Sequence, residues 1–458
     1  MTSRSRRSLL AALATGTAAL AGCTDRSSSP TTSQSTDDGR TVTTAPPTST
    51  TPDTATETEA TADPEMPTTG PPLAGVEAFD EHLPDFMRKW DVPAATVAVA
   101  QGEDLVFTRG YGYADREADA VVQPDSLFRI GSLSKPITAV TVLELVQRGE
   151  LSLDDRMVDL LPDVVPDSGP KDPRAAEITV RNLLRHTAGW HEAEMGYDPV
   201  FASRRIADAE GETTPASAET TLTYVLRQDL SFDPGTAFAY ANVGYVFLGR
   251  IVEAVTGRSY EEHVQDRVLD PLGMDRMQIG NSRRRGRLED EVRYYDDKTA
   301  ESVFPEGGTV PAPYGSFSMQ ALDAAGGWVG STVDVCRFFR GFDGMDGVPD
   351  VLDEGTRETM TARPSVDRWE DANQYYGMGL FVVPESTGES TLWHNGSLPG
   401  SYGFCIRDGP SDLTAAVLFN GRSSPRFPTF NREAQSAFVT AVGGVSSWPD
   451  RDLYDQYE

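Results

Sequence analysis

The stretch GSLSKPITAVTVLELVQR at residues 131–148 contains the pattern on which the prediction of fold and chemistry depends. Ser132 and Lys135 stand three residues apart, just ahead of a run, 136–148, whose apolar residues recur at helical spacing. Side chains three residues apart on a helix face the same side, so this spacing brings a hydroxyl and an amine together. The amino terminus of a helix also favours developing negative charge at Ser132. The alternative interpretation is an N-cap serine followed by a first-turn lysine.

A second Ser-x-x-Lys match lies in the stretch PDSGPKDP at residues 166–173. Here a glycine and a proline stand between Ser168 and Lys171, and both residue types are typical of turns. We expect this second match to be a coincidence within a loop.

A Tyr-x-Asn pattern, Tyr240 to Asn242, stands at the start of another helical run in AYANVGYVFLGR, residues 239–250. A nearby ammonium lowers the pKa of a tyrosine towards a value that is useful for proton transfer. Asn242 could donate and accept hydrogen bonds, either to a substrate amide or to Lys135. The alternative is a buried tyrosine followed by a helix-capping asparagine.

A third pattern, His394 to Ser397, directly follows a β-rich run. Gly396 would let the backbone of a strand approach a ligand closely, and the N–H of Ser397 could then point at an oxyanion. The pattern would place His394 as a titratable donor beside the reaction centre, although a single histidine is more often structural.

The periodicities predict an α/β (α+β) fold, in which an antiparallel sheet is flanked by helices and assembled from both ends of the chain, with a mainly helical region inserted between its parts. The predicted helices cover 76–90, 136–148, 242–256 and 429–442, and the predicted strands cover 94–100, 105–108, 380–383, 391–394, 403–406 and 414–419.

In this order and at these intervals, the three motifs resemble those of the serine β-lactamase and penicillin-binding-protein superfamily, specifically its class C-like branch. The stretches 178–190, 232–274 and 324–339 are also similar to the framework of that family. The resemblance extends over about residues 76–442 and implies a β-lactamase/transpeptidase-like fold.

The resemblance also implies a role for each site residue. Ser132 would be the acylated nucleophile, Lys135 would help to deprotonate it, and Tyr240 would pass the proton to the leaving group. Asn242 would orient the substrate, and the backbone N–H groups of Ser132 and Ser397 would form the oxyanion hole.

The third motif departs from class C β-lactamases, because His394 stands where those enzymes have the lysine of Lys-Thr-Gly. Histidine at this place resembles the D-alanyl-D-alanine carboxypeptidases, D-aminopeptidases and some esterases of the same branch. A neutral imidazole attracts a substrate carboxylate less than an ammonium does, so we expect inefficient penicillin hydrolysis. The expected substrate is a small molecule or a peptide-like amide or ester.

The composition excludes one broad class of partner. Seventy acidic residues stand against 40 basic ones, giving a formal net charge of −30, so the surface should repel nucleic acids. Only four of the 40 basic residues are lysines. An acidic, lysine-poor surface suits a protein that works in concentrated salt, where carboxylate repulsion is screened, but a genome rich in arginine codons would give the same composition.

The first 22 residues have the features of an export signal. The pair Arg6-Arg7 resembles a twin-arginine signal, and the apolar run at 9–21 is too short to span a bilayer. Residues 20–23, Leu-Ala-Gly-Cys, resemble a lipobox in which Cys23 becomes lipid-modified. We therefore expect a protein on the outer face of the cell membrane, held there only by this lipid; the alternative is an unlipidated, disordered N-terminal region.

Three further segments complete the predicted domain organisation. Thirty of the 49 residues at 24–72 are Ser, Thr or Pro, so 23–72 is predicted to be the lipidated cysteine and a disordered stalk. Residues 73–445 would form the hydrolase domain, and 446–458 a loosely held acidic tail.

The histidines and cysteines do not stand at metal-ligand spacing, so we expect no metal or other cofactor. Cys336 falls on a predicted helix and Cys405 on a predicted strand. Their interpretations as a disulfide or as buried free thiols both stay open. We expect a monomer.

Two classes of function are compatible with these patterns. The first is a surface-anchored serine hydrolase that forms an acyl-enzyme on a small amide or ester. The second is a catalytically silent surface receptor that binds a peptide-like ligand. The joint presence of Ser132, Lys135 and Tyr240 favours the hydrolase, because a silent receptor has little need of all three.

Overall fold

A computed structural model of the chain describes residues 66–71, 73–342, 350–386 and 388–457. The strands are β1 (Thr68–Thr69), β2 (Ala94–Gln101), β3 (Asp104–Asp115), β4 (Ala120–Val121), β5 (Phe128–Arg129), β6 (Gln278–Ile279), β7 (Tyr295–Asp296), β8 (Thr299–Glu301), β9 (Thr309–Pro311), β10 (Trp328–Gly330), β11 (Tyr375–Tyr376), β12 (Phe381–Val383), β13 (Thr391–Leu398), β14 (Ser401–Asp408), β15 (Leu413–Phe419) and β16 (Gly421–Arg422). The helices are α1 (Glu77–Trp90), α2 (Ser134–Gln147), α3 (Met157–Leu160), α4 (Val180–Leu184), α5 (Glu192–Met195), α6 (Ser203–Glu210), α7 (Ala218–Leu226), α8 (Asn242–Thr256), α9 (Tyr260–Val264), α10 (Thr332–Arg340), α11 (Glu354–Thr361) and α12 (Phe427–Gly444).

The main sheet joins the two ends of the described chain, as the sequence predicts. Its strand order is β1-β3-β2-β15-β14-β13-β12-β11, with β4 beside β3, and its strands pair antiparallel. The N-terminal hairpin β2–β3 lies against C-terminal β15, where Val97 is opposite Val417. Almost every residue of β2 is buried, because both faces of the sheet are covered. The predicted α/β architecture is confirmed.

Helices cover the two faces of this sheet. On one face, α1 packs against α12, with the Phe86 ring 5.2 Å from both Phe430 and Phe419. Helix α10 packs against β2, β14 and β15. Because side chains alternate along a strand, Asn395 of β13 contacts Asn431 of α12, whereas His394 points to the opposite face.

The inserted region between β5 and β10 is mainly helical, and α8 lies at its centre. Residues 243–252 of α8 are buried, because the helix is apolar on all sides and packs against α2, α4 and the turn Asp323–Gly327. This packing fixes the start of α8, with Asn242, beside the start of α2, with Lys135.

Two predicted boundaries are wrong within the described residues. The stalk was predicted to extend to residue 72, but β1 at 68–69 pairs with β3, and the Thr69 hydroxyl donates to the carbonyl of Val122 at 2.7 Å. The segment 446–457 is not loosely held either. Leu453 is buried and its backbone N–H donates to the carbonyl oxygen of Leu105 in β3 at 3.0 Å, while the Asp452 carboxylate accepts from the Leu105 N–H at 3.0 Å.

The predictions for the cysteines and for the N-terminal region have different outcomes. Cys336 and Cys405 are both buried free thiols, and burial raises the pKa of each. The export signal, Cys23 and the stalk up to residue 65 lie outside the described residues. None of the helices that the structure describes has both the length and the apolar character needed to cross a membrane.

Candidate active site

The Ser-x-x-Lys motif at the start of α2 brings its two side chains into contact. Ser132 lies in a 3-10 turn, Gly131–Leu133, that leads directly into α2. The Lys135 Nζ lies 3.0 Å from the Ser132 Oγ. Helix α2 has no side-chain cap, so the capping interpretation of Ser132 does not describe the structure.

Two further oxygen atoms hold the buried amine of Lys135. The Nζ donates to the Oδ1 of Asn242 at 2.7 Å and to the carbonyl oxygen of Ala325 at 2.6 Å. The turn that carries Ala325 is fixed to the next residues of α2, since the Thr138 hydroxyl donates to the carbonyl of Ala324 at 2.6 Å. Of the two partners expected for Asn242, Lys135 is therefore the one that it contacts.

Aromatic rings surround this amine on another side. The Tyr240 ring centroid lies 4.9 Å and the Tyr245 centroid 5.5 Å from the Lys135 Nζ, within reach of a cation–π interaction. His186, which has a positive φ of 56°, packs in tilted ring contacts against Tyr240 at a centroid distance of 4.2 Å and Tyr376 at 4.8 Å. The Nδ1 of His186 accepts from the backbone N–H of Ala241 at 3.3 Å, which orients the segment between Tyr240 and α8.

His394 lies within β13, which extends from the predicted strand at 391–394 to Leu398, and it is fully buried. Its Nδ1 lies 2.6 Å from the carbonyl oxygen of Asn395, which can only accept, so the Nδ1 carries the proton. The Nε2 is then left to accept from the Tyr376 hydroxyl at 3.4 Å. Burial lowers the pKa of His394 to about 3, and the Lys135 amine acts in the same direction. The imidazole is therefore neutral at neutral pH and is not the titratable donor that the sequence predicts.

The third motif touches the backbone that carries the serine. A Cβ atom on Gly396 would lie 1.8 Å from the carbonyl oxygen of Ile130, and a Cβ on Gly131 would lie 2.6 Å from the N of Ser397. Gly131 also has a positive φ of 54°. Only residues without a side chain allow this approach, which brings the backbone around Ser132 and Ser397 together.

A small cleft opens beside the Ser132 hydroxyl. It has a cavity volume of about 30 Å³, and polar and apolar surface contribute about equally to its wall. The lining residues are Ser132, Asn242, Ser397, Val200, Phe201, Leu322, Leu398, Ala325 and Gly326. Such a wall suits a small acyl group whose carbonyl meets the polar residues.

Sequence reasoning missed two carboxyl groups behind Asn242. The Oδ2 of Asp198 accepts from the Asn242 Nδ2 at 2.6 Å, and the Oε1 of Glu192 accepts from the Asn242 backbone N–H at 2.9 Å. Burial raises the pKa of both carboxyl groups, and the nearby Asp198 raises that of Glu192 further. Glu192 is the first residue of the short helix α5 and Asp198 lies in the turn after it, and neither element has a periodic pattern long enough to predict these positions.

Within the described residues there is no group of three or more His, Cys, Asp or Glu side chains that could hold a metal ion. The polar side chains that the structure places beside the Ser132 hydroxyl are those of Lys135, Asn242 and Ser397.

Comparisons with known proteins agree with this architecture. The β-lactamase family model matches residues 79–438. Penicillin-binding protein 4 of Amycolatopsis lactamdurans is 30% identical over 77% of this chain and 87% of that protein. Esterase EstB of Burkholderia gladioli is 28% identical over 76% of this chain and 91% of that protein. The octameric penicillin-binding protein homologue from Pyrococcus abyssi superposes with a TM-score of 0.62 at 26% identity, covering 82% of this chain and 79% of that structure. The chain therefore belongs to the β-lactamase family, a family of serine hydrolases.

Proposed function

We propose that the protein is a surface-anchored serine hydrolase that forms an acyl-enzyme at Ser132 on a small amide or ester. The observation that carries this proposal is the contact between the Ser132 Oγ and the buried amine of Lys135. The side-chain oxygen of Asn242 and the carbonyl oxygen of Ala325 can only accept hydrogen bonds. They therefore take the two N–H groups of a neutral Lys135 amine. The nitrogen lone pair of the neutral amine then points at the Ser132 hydroxyl.

This geometry supports a defined sequence of proton transfers. Lys135 takes the proton as the Ser132 oxygen attacks the substrate carbonyl carbon. The backbone N–H groups of Ser132 and Ser397 stabilise the oxyanion, by about 3 kcal/mol for each donor. Tyr240 then passes this proton from Lys135 to the leaving group as the bond between the leaving group and the carbonyl carbon breaks. Water then hydrolyses the acyl-enzyme and releases Ser132.

A fluorescent acyl phosphonate tests the nucleophile directly. We expect it to label the wild-type protein at Ser132 and to leave the Ser132→Ala variant unlabelled, while Ser168→Ala labels like the wild type. Unchanged labelling of Ser132→Ala would refute the proposal. No labelling of the wild-type protein would favour the silent receptor.

We propose ester or simple amide substrates in preference to penicillins. The buried, neutral His394 does not provide the cation that would attract the carboxylate of a penicillin. The relatives include a protein named as an esterase, which also supports this class. Purified protein in high salt should cleave p-nitrophenyl acetate and leave nitrocefin intact; rapid nitrocefin cleavage would contradict this assignment.

We also propose that a lipid on Cys23 anchors the enzyme on the outer face of the membrane, after export by the twin-arginine route. The order of the arginine pair, the apolar run and the cysteine supports this. Wild-type protein should enter the detergent phase of a Triton X-114 partition, and Cys23→Ser should stay in the aqueous phase. Light scattering of the unlipidated protein should give the mass of a monomer.

A further inference from the structure

The side chain of Asn242 is held between two partners of opposite hydrogen-bonding character. Its Oδ1 faces the Lys135 Nζ at 2.7 Å, and its Nδ2 faces the Asp198 Oδ2 at 2.6 Å. An amide has one accepting and one donating end, and the two ends exchange if the group turns over. The partner on the far side of Asn242 therefore decides which end meets the lysine.

Asp198 is suited to make that decision. Its other oxygen, Oδ1, accepts from the backbone N–H of Val200 at 3.0 Å, which fixes the carboxyl group. An ionised carboxylate can only accept, so it holds the donating end of Asn242 and leaves the oxygen for Lys135. Glu192 completes the arrangement, since it accepts from the backbone N–H of Asn242 and fixes the first residue of α8.

We propose that Asp198 and Glu192 are positioning residues of the acyl-transfer site, which fix the Asn242 amide so that its oxygen accepts from Lys135 and the lysine lone pair stays aimed at Ser132. This proposal rests on the function proposed for Ser132 and Lys135. Neither carboxyl group has to touch the substrate, because both act through Asn242.

The pKa values of the Asp198 and Glu192 carboxyl groups agree with their proposed roles. Lys135 faces both carboxyl groups from the other side of the Asn242 amide, and a proton on its amine lowers their pKa values, whereas burial raises them. Burial raises the pKa of Asp198 to about 6, and it raises that of Glu192 well above the ordinary value. With a pKa of about 6, Asp198 is ionised at pH 7.5 and can only accept.

The substitution Asp198→Asn tests the proposal, because asparagine has the same shape but can either donate or accept. The Asn242 amide then has no fixed orientation, and we expect phosphonate labelling of Ser132 to slow about 10- to 100-fold, with the KM for p-nitrophenyl acetate unchanged. The thermal midpoint at pH 7.5 should be equal or higher, because a buried charge has been removed. A residue with only a structural role would lower the midpoint when substituted.

A double-variant cycle shows whether Asp198 acts through Asn242. In an Asn242→Ala background, Asp198→Asn should have no further effect on the labelling rate, whereas independent roles would give additive losses. Asp198→Glu keeps an acceptor-only group and should recover part of the rate. Glu192→Gln should slow labelling less, and it provides a second test if Asp198→Asn does not fold.

The matched control is Glu194→Gln, which removes the same charge from an exposed position on the same helix, α5, where the side chain contacts His191. It should label at the wild-type rate. Failure of the wild-type protein to label would refute the proposed function. If the wild type is labelled, either of two results would refute the positioning role alone. In the first, Asp198→Asn and Glu192→Gln are both labelled at the wild-type rate. In the second, labelling of Glu194→Gln slows as much as that of the other two variants.

Discussion

The two Ser-x-x-Lys stretches of this chain have the same motif and very different surroundings. At 132–135 the lysine is fully buried and its amine lies 3.0 Å from the serine oxygen. At 168–171 the serine hydroxyl donates to the adjacent carbonyl of Gly169, and Lys171 forms an exposed ion pair with Asp229 at 2.7 Å.

This difference shows which physical conditions the motif needs. A helix places the two side chains on one face, and burial then removes the water that would otherwise solvate the amine. Acceptor groups from α8 and from the turn at 323–327 hold the buried amine towards the serine. In the loop at 166–173, solvent and a surface carboxylate satisfy the lysine instead.

The largest effect that separates the two stretches should come from their lysines. Lys135→Ala removes the proposed base, so the rate of phosphonate labelling at Ser132 should fall about 1,000-fold. Lys171→Ala should change that rate less than twofold. Stopped-flow labelling measures both, with circular dichroism as the check on folding; equal effects of the two substitutions would remove the distinction between the stretches.

The close approach of β13 to Gly131 should give the next largest effect. Gly396→Ala puts a methyl group into the space of the Ile130 carbonyl oxygen, so labelling should slow about 100-fold and the free energy of unfolding should fall by about 1–3 kcal/mol. In Gly443→Ala the new Cβ atom meets nothing within 4 Å, and the free energy of unfolding should rise by about 0.5–1 kcal/mol. Wild-type labelling by Gly396→Ala would show that this contact does not shape the site.

Burial of the site should also appear in the pH dependence of stability. The pKa of His394 is about 3 in the folded protein, below its ordinary value, so the unfolded chain binds the proton first as the pH falls. Stability is therefore lost as the pH falls from about 6.5 towards 3. Between pH 7.5 and pH 5, the wild type should lose about 2 kcal/mol more than His394→Asn, as measured by urea unfolding.

The exposed His191 provides the matched comparison for that experiment, because its side chain is 40% exposed. His191→Asn should lose stability with falling pH in parallel with the wild type. If His394→Asn also followed the wild type, the imidazole would not be the buried neutral group that the geometry indicates.

The smallest effect should come from the loop stretch itself. The side chains of Lys171 and Asp229 are 55% and 70% exposed, so removing their ion pair by Lys171→Ala should lower the free energy of unfolding by less than about 1 kcal/mol. In 1 M salt this difference should disappear, because the screening length falls to about 3 Å. A loss that persists in high salt would mean that the loop makes a contact other than the ion pair.

The fold and the three motifs could be predicted from the sequence because they depend on local patterns. The runs of β-favouring residues in β2 and β13–β15 and the helical spacing in α2 and α8 are visible within short windows. The order of the motifs then supplied the family resemblance, which the family match over residues 79–438 confirms. The roles of Ser132, Lys135 and Tyr240 stay predictions.

Features that depend on distant contacts were not predictable in this way. Asp198 and Glu192 reach Asn242 only because the short helix α5 and the turn after it lie against the start of α8. His394 was expected to titrate, but its burial depends on rings from β11 and β12. Likewise, the short apolar part of the C-terminal segment gave no sign that Leu453 would pair with β3.

The position of β1 has a mechanical consequence for an enzyme held by its N-terminal region. The described chain enters the main sheet at Thr68, and five steps between neighbouring strands separate β1 from β13. At about 4.8 Å a step, the tether proposed at Cys23 would join the sheet roughly 24 Å from β13, the strand that carries Ser397. Tension along this tether would therefore load the edge of the sheet far from the strand that lines the cleft.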